Sequence, residues 1–169
     1  MHSQYQPYLD LALKAAKQAG ELIRKAVGVS HHIDKKGRIN LVTEVDKASE
    51  ELIFSLIKNT FPDHSILGEE QGQVIGNDSQ CRWIVDPLDG TTNFASGYPF
   101  FAVSIAFELN GQVVVGVVHD PCHEETFYAV LGEGAYLNGQ PIHVSDNSIL
   151  EDALLVTGFP YDVSSSPDI

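Results

Sequence analysis

The stretch Phe101–Asp120, FAVSIAFELNGQVVVGVVHD, decides the fold class. Ala102–Leu109 and Gln112–His119 are two runs rich in Val, Ile and Phe, joined by Asn110-Gly111. Asn-Gly suits a two-residue turn in which both residues take positive φ, so the pair predicts an antiparallel hairpin. The pattern continues outward on the C-terminal side. Thr126–Leu131 and Gly134–Leu137 read as further strands, Gly132-Glu133-Gly134 as their turn, and Asn138-Gly139 as another hairpin signal. Ala153–Thr157 is a last candidate strand, and Val163–Ile169 reads as loose chain.

On the N-terminal side two shorter apolar runs come first, Ser65–Leu67 and Arg82–Val85. Before them the period changes from two to between three and four. Leu11, Ala12, Ala15, Ala16, Ala19, Leu22, Ile23 and Ala26 predict an amphipathic helix over Tyr8–Val27, with Gly28 as its stop. Val45, Ala48, Leu52, Ile53, Leu56 and Ile57 predict a second over Glu44–Thr60, with Thr43 as N-cap and Pro62 closing it. Helices first and strands afterwards argue an α+β fold, with two helices packed on one mostly antiparallel sheet. No repeat is present.

The 169 residues suit about one domain, and a chain of that size buries a core without metals or disulfides. A hydrophobic fraction of 43% and a charged fraction of 20% are ordinary for a folded protein. The net charge of −13 disfavours binding to phosphate backbones, so nucleic acid is not an expected partner. No run approaches the ~18 apolar residues of a membrane span, and none is expected. Cys81 and Cys122 form no disulfide framework, which suggests reduced thiols and a cytoplasmic setting.

Three acidic motifs stand out. The densest is Asp86-Pro87-Leu88-Asp89-Gly90-Thr91-Thr92-Asn93-Phe94, directly after the apolar Trp83-Ile84-Val85. Two carboxylates bracket a rigid turn, followed by the Gly90 and Thr91 amides and two hydroxyls, a set able to hold a cation on one side and a phosphate on the other. Turn-forming residues alone explain a lone Asp-Pro or Asp-Gly. The second is Gly68-Glu69-Glu70 after the Ser65–Leu67 run. Such pairs are usually solvated, but neighbouring strand ends bring Glu69 and Asp86 together, where carboxylates need a cation between them. The third is Leu41–Asp46, LVTEVD, where Thr43 and Asp46 have capping-box spacing and Asp46 alternatively orients a hydroxyl or water. His31-His32 and His119/His123 lack the partners of a zinc site. Lys35, Lys36 and Arg38 read as a solvated loop or as cations beside the acidic site.

Together LVTEVD (Leu41–Asp46), GEE (Gly68–Glu70) and DPLDGTTNF (Asp86–Phe94), with GEGAYLNG near residue 136, resemble the inositol monophosphatase family over nearly the whole chain. The resemblance implies the N-terminal half of a layered αβαβα fold. It also implies Mg²⁺-dependent, lithium-sensitive hydrolysis of a phosphate monoester. Inositol monophosphate is the first expected substrate, with histidinol phosphate or a sugar phosphate as alternatives. Glu69, Asp86, Asp89 and the Leu88 carbonyl would be ligands for two or three Mg²⁺ ions, with Mn²⁺ as a substitute. Glu69, Thr91 and Asp46 would activate water, and Glu69, Asp89, Gly90 and Thr91 would face the substrate. Glu70, Lys35 and Lys36 are further candidates, and a homodimer is the family's usual assembly. Relatives carry a later Trp-Asp motif that completes the second metal site. The expected organisation is therefore an N-terminal phosphatase domain over 1–160 and a loose tail over 161–169 leading to an absent C-terminal domain, and this piece alone is expected to be impaired in turnover. The alternative from another class is a non-catalytic assembly module that keeps the fold.

Overall fold

The computed structural model describes residues 4–27, 33–36 and 40–156; the side chains of 33–36 and 40–43 are left aside. The expectations for Gly28, His31-His32, Arg38, Thr157 and the 161–169 tail lie outside the described residues, as do the side chains of Lys35, Lys36 and Thr43. The helices are α1 (Gln6–Ala26), α2 (Glu44–Thr60) and a short α3 (Thr91–Ala95). The strands are β1 (Ile33–Lys36), β2 (Asn40–Thr43), β3 (His64–Gly68), β4 (Gln73–Val74), β5 (Asp78–Asp89), β6 (Ala102–Leu109), β7 (Gln112–Asp120), β8 (Glu125–Val130), β9 (Gly134–Leu137) and β10 (Gln140–Ile142).

Eight strands form one sheet in the order β10-β9-β8-β7-β6-β5-β3-β4, while β1 and β2 pair separately. The fold is α+β, and the sheet is antiparallel except where β3 runs parallel to β5. The β6–β7 and β9–β10 hairpins turn on Asn110-Gly111 (φ 54° and 79°) and Asn138-Gly139 (φ 49° and 83°), the conformation that the dipeptide favours. One face of the sheet carries Trp83, Val85, Val103, Ile105, Phe107, Val115 and Val117, all buried. Against it lie the alanine-lined stripe of α1 and the Ile53, Phe54 and Ile57 face of α2. Successive strand residues point to opposite faces, so Ser104, Ala106, Gly116 and Val118 fall on the other face, where they line a shallow apolar groove of about 280 Å³.

Several boundaries differ from the sequence expectation. α1 begins two residues early, because Pro7 fits a helix's first turn. β5 extends far beyond Arg82–Val85, since β3 pairs with its polar start at Asp78 and β6 supplies a ladder from Cys81 to the Asp86–Asp89 end. α3 and the β1–β2 hairpin were not expected. Ala153–Val156 is not a strand: Leu154 is 94% exposed and Val156 92% exposed, and apolar residues without a neighbouring strand have no ladder to join.

Candidate functional site

The parallel pair places the site. Gly68, the last residue of β3, sits opposite Val85 of β5, so Glu69, where the chain leaves β3, stands beside Asp86 of β5. Pro87 has no N–H for the β6 ladder, and the β5–β6 register shifts between Asp86 and Asp89. That irregularity returns Asp89 to the edge where Asp86 points. Leu88 anchors the turn from below with a fully buried side chain. α2 holds it from the side, where the buried Ser49 hydroxyl donates to the Pro87 carbonyl at 2.9 Å. Gly90, at φ 93°, swings the chain into α3.

The carboxylates gather as the strand-end argument requires. Asp86 is hydrogen-bonded to Glu69, and burial followed by the charges of Glu69 and Asp89 pushes its carboxyl up to about 7. Asp46 arrives from the first turn of α2 and is almost completely buried. Burial first, then the charges of Glu70, Glu69, Asp86 and Glu50, also raises it to about 7. Glu69 and Asp89 are exposed, and Glu70 is half-buried. The Thr91 hydroxyl lies 3.0 Å from the Leu88 carbonyl and 3.5 Å from Asp46 Oδ2, so the carbonyl is its better acceptor. A carbonyl oxygen has two lone pairs, so Leu88 keeps one for another partner. Gly90 and Thr91 open α3, where backbone N–H groups have no intrahelical acceptor.

A hard divalent cation fits this donor set. The oxygens are carboxylate and carbonyl, the kind Mg²⁺ takes. Two carboxyl groups hydrogen-bond to each other only by sharing a proton, and the Asp86–Glu69 pair offers a cation the same oxygens.

A tighter group of ligand-type side chains lies at the far end of the same two strands. His64, Asp78 and Cys81 bring their ligand atoms within 4.8 Å of one another. There the Trp83 indole N–H donates to His64 Nδ1 at 3.1 Å. In the neutral ring the proton then sits on Nε2, so neither nitrogen has a lone pair to give a metal. Cys81 is in turn hydrogen-bonded to Asp78. This group is a polar knot at the edge of the core, with His64 and Cys81 buried and Asp78 half-exposed. His119 bonds Thr126 at 2.9 Å and His123 bonds Asp120 at 2.8 Å, so neither pairs with the other around a metal.

Sequence reasoning missed two contributors on α2, Ser49 and Glu50. Both are fully buried, and the Glu50 carboxylate accepts the backbone N–H groups of Glu70 and Gln71 at 2.9 Å each. The available signal was position: Asp46, Glu50, Ile53, Phe54 and Ile57 share one helical face, and a charged residue on an apolar stripe needs a reason to be there.

The profile of the inositol monophosphatase family matches residues 4–169. The chain belongs to the inositol monophosphatase family. Inositol monophosphatase 3 of Solanum lycopersicum is 48% identical over 153 residues, which are 89% of this chain and 57% of that protein. Nus factor SuhB of Escherichia coli strain K12 is 43% identical over 157 residues, 92% of this chain and 59% of that one. The solved inositol monophosphatase from Anabaena (Nostoc) sp. PCC 7120 superposes with a TM-score of 0.86 at 44% identity, covering 98% of this chain and 60% of that structure. The chain thus spans more than half, but less than two thirds, of the family members it matches. No described helix is long and apolar enough to cross a membrane.

Proposed function

We propose that this chain carries a Mg²⁺-dependent phosphomonoesterase site whose substrate is an inositol monophosphate. The observation that carries the reading is the meeting of Glu69 and Asp86 at adjacent parallel strand ends, with Asp89 on the same turn and Asp46 behind them. Membership of the family supports the phosphatase class.

Under this reading Glu69, Asp86, Asp89 and the Leu88 carbonyl hold the cation, and Glu70 supports an outer, water-mediated position. When bound, the cation supplies positive charge to phosphoryl oxygens and makes a nearby water more acidic. The Gly90 and Thr91 amides orient the phosphate and offset the charge that gathers on it. Glu69 accepts the proton of the attacking water, with the Thr91 hydroxyl beside it, held by the Leu88 carbonyl and oriented by Asp46. Asp89 reaches the substrate from the exposed side. Lys35 and Lys36 are proposed as cations near the phosphate.

The test is phosphate release from inositol 1-phosphate with Mg²⁺ and after chelation, paired with Mn²⁺ binding followed by electron paramagnetic resonance. Asp86→Asn is expected to abolish turnover and to weaken Mn²⁺ binding at least ~10-fold, since changing even a group that only supports a ligand costs that much. Turnover that survives chelation, or that Asp86→Asn leaves unchanged, overturns the reading. A second reading, an assembly module that keeps the fold, is favoured by relatives named Nus factor SuhB. A chain that binds no divalent ion yet forms a stable complex with a protein partner would establish it.

A further inference from the structure

We infer that Glu50 is a positioning residue for the acidic site: its buried carboxylate clamps the loop after β3 so that Glu69 is presented to Asp86. The inference rests on the metal-site reading above and deepens it.

Glu50 lies one turn after Asp46 on α2 and exposes none of its surface. An ionised carboxylate is costly to bury unless strong hydrogen bonds replace its water. Here each oxygen has its own donor: Oε1 accepts the Glu70 N–H and Oε2 accepts the Gln71 N–H, both at 2.9 Å. These are the two amides that directly follow Glu69. Charge-assisted bonds of this kind are roughly twice as strong as neutral ones. The loop is also closed on itself, since the Gly68 N–H donates to the Gly72 carbonyl at 2.9 Å.

The residue at 68 fits the same arrangement. A Cβ on Gly68 would collide with Glu50 Oε1 and come within 2.7 Å of the Phe54 ring. Any larger residue there pushes the loop off the helix. Glu50 and Gly68 therefore set the height at which Glu69 leaves the sheet.

A carboxylate is the one side chain that does this with two acceptors and no donor. Glutamine has the same length but turns an NH₂ toward one of the two backbone N–H groups, leaving one bond replaced by a donor facing a donor. The carboxylate also adds a negative charge beside Asp46. That is unfavourable for the cluster by itself and favourable once a cation is shared.

The experiment is Mn²⁺ titration, read by electron paramagnetic resonance, on the unaltered chain and on Glu50→Gln, Gly68→Ala and the exposed neighbour Glu51→Gln. Circular dichroism and Trp83 emission report whether each variant is folded. The unaltered chain and Glu51→Gln should bind alike. Folded Glu50→Gln should bind about 10-fold more weakly, the loss typical when a group supporting a ligand is changed. Gly68→Ala, which leaves every carboxylate in place, should weaken binding in the same direction and decides the matter if Glu50→Gln does not fold. Mn²⁺ affinity unchanged in both folded variants overturns the inference and leaves the metal reading standing. No binding by the unaltered chain overturns both.

Discussion

At the residue scale, the acidic site depends on small groups that hold a turn still. Ser49 is the clearest. Its hydroxyl bonds the Pro87 carbonyl in a buried setting, and Pro87 sits between two of the proposed metal ligands. Ser49→Ala leaves that carbonyl without its donor, so it is expected to cost about 1–3 kcal/mol of stability, measured as a lowered urea midpoint. The same variant should weaken Mn²⁺ binding less than Asp86→Asn does, because every charged ligand remains. Asp86, Asp89 and Glu69 were legible as candidates because turn chemistry and strand ends are written locally. Glu50 and Ser49 were not, because a helical Glu or Ser is ordinary until the tertiary fold brings a loop against it.

At the element scale, the hairpins and the β3–β5 pair carry different kinds of information. Asn110-Gly111 specifies its turn by backbone conformation alone. Gly111→Val puts a β-branched residue at φ 79°, with an expected cost of roughly 1–2 kcal/mol. Equilibrium urea unfolding checks it, and an unchanged midpoint would mean the hairpin has another way to turn. The β6, β7 and β9 boundaries follow the sequence pattern closely, since each strand's neighbour in sequence is also its neighbour in the sheet. β5 does not, because its length is set by β6 on one side and β3 on the other. Ala153–Val156 shows the converse: apolar composition without a partner strand makes no strand.

At the scale of the whole molecule, two buried histidines couple stability to acid. Burial lowers the pKa of His64, where the nearby Asp78 and Asp63 charges oppose the shift and Lys58 reinforces it. Burial also lowers that of His119, with the Glu125 backbone bond, Asp120 and Glu124 opposing and Lys17 reinforcing. A histidine whose folded pKa lies below the ordinary 6.5 binds fewer protons folded than unfolded. Its contribution is present above pH 6.5 and is lost as the pH falls from 6.5 through the lowered value. The raised carboxyls of Asp46 and Asp86 act in the opposite sense, because they take up protons on folding as the pH falls below about 7. The histidine share is therefore isolated in the Asp46→Asn/Asp86→Asn double variant, whose stability should decline between pH 7 and pH 5, and Trp83 reports it, since it is the chain's one tryptophan and donates to His64. A urea midpoint of that double variant that does not fall over that range contradicts the assignment. The proposed cation should act in the opposite sense at neutral pH. At a concentration ~100 times its dissociation constant, Mg²⁺ bound only to the folded state adds about 2.7 kcal/mol, visible as a raised melting temperature that EDTA reverses.

Sequence by itself determined the α+β class, the two long helices, the hairpin meander and the identity of the acidic motifs. These depend on side-chain period and on the turn preferences of Asn-Gly and Asp-Pro, which act over a few residues. Tertiary structure alone decided that β3 runs parallel to β5 and ends beside Asp86, that Glu50 and Ser49 reach the site from α2, and that His64, Asp78 and Cys81 close into a knot around Trp83. The reason is one of range: a buried polar group is stabilised by whichever partner the fold brings to it, and in each of these cases that partner stands many residues away along the chain.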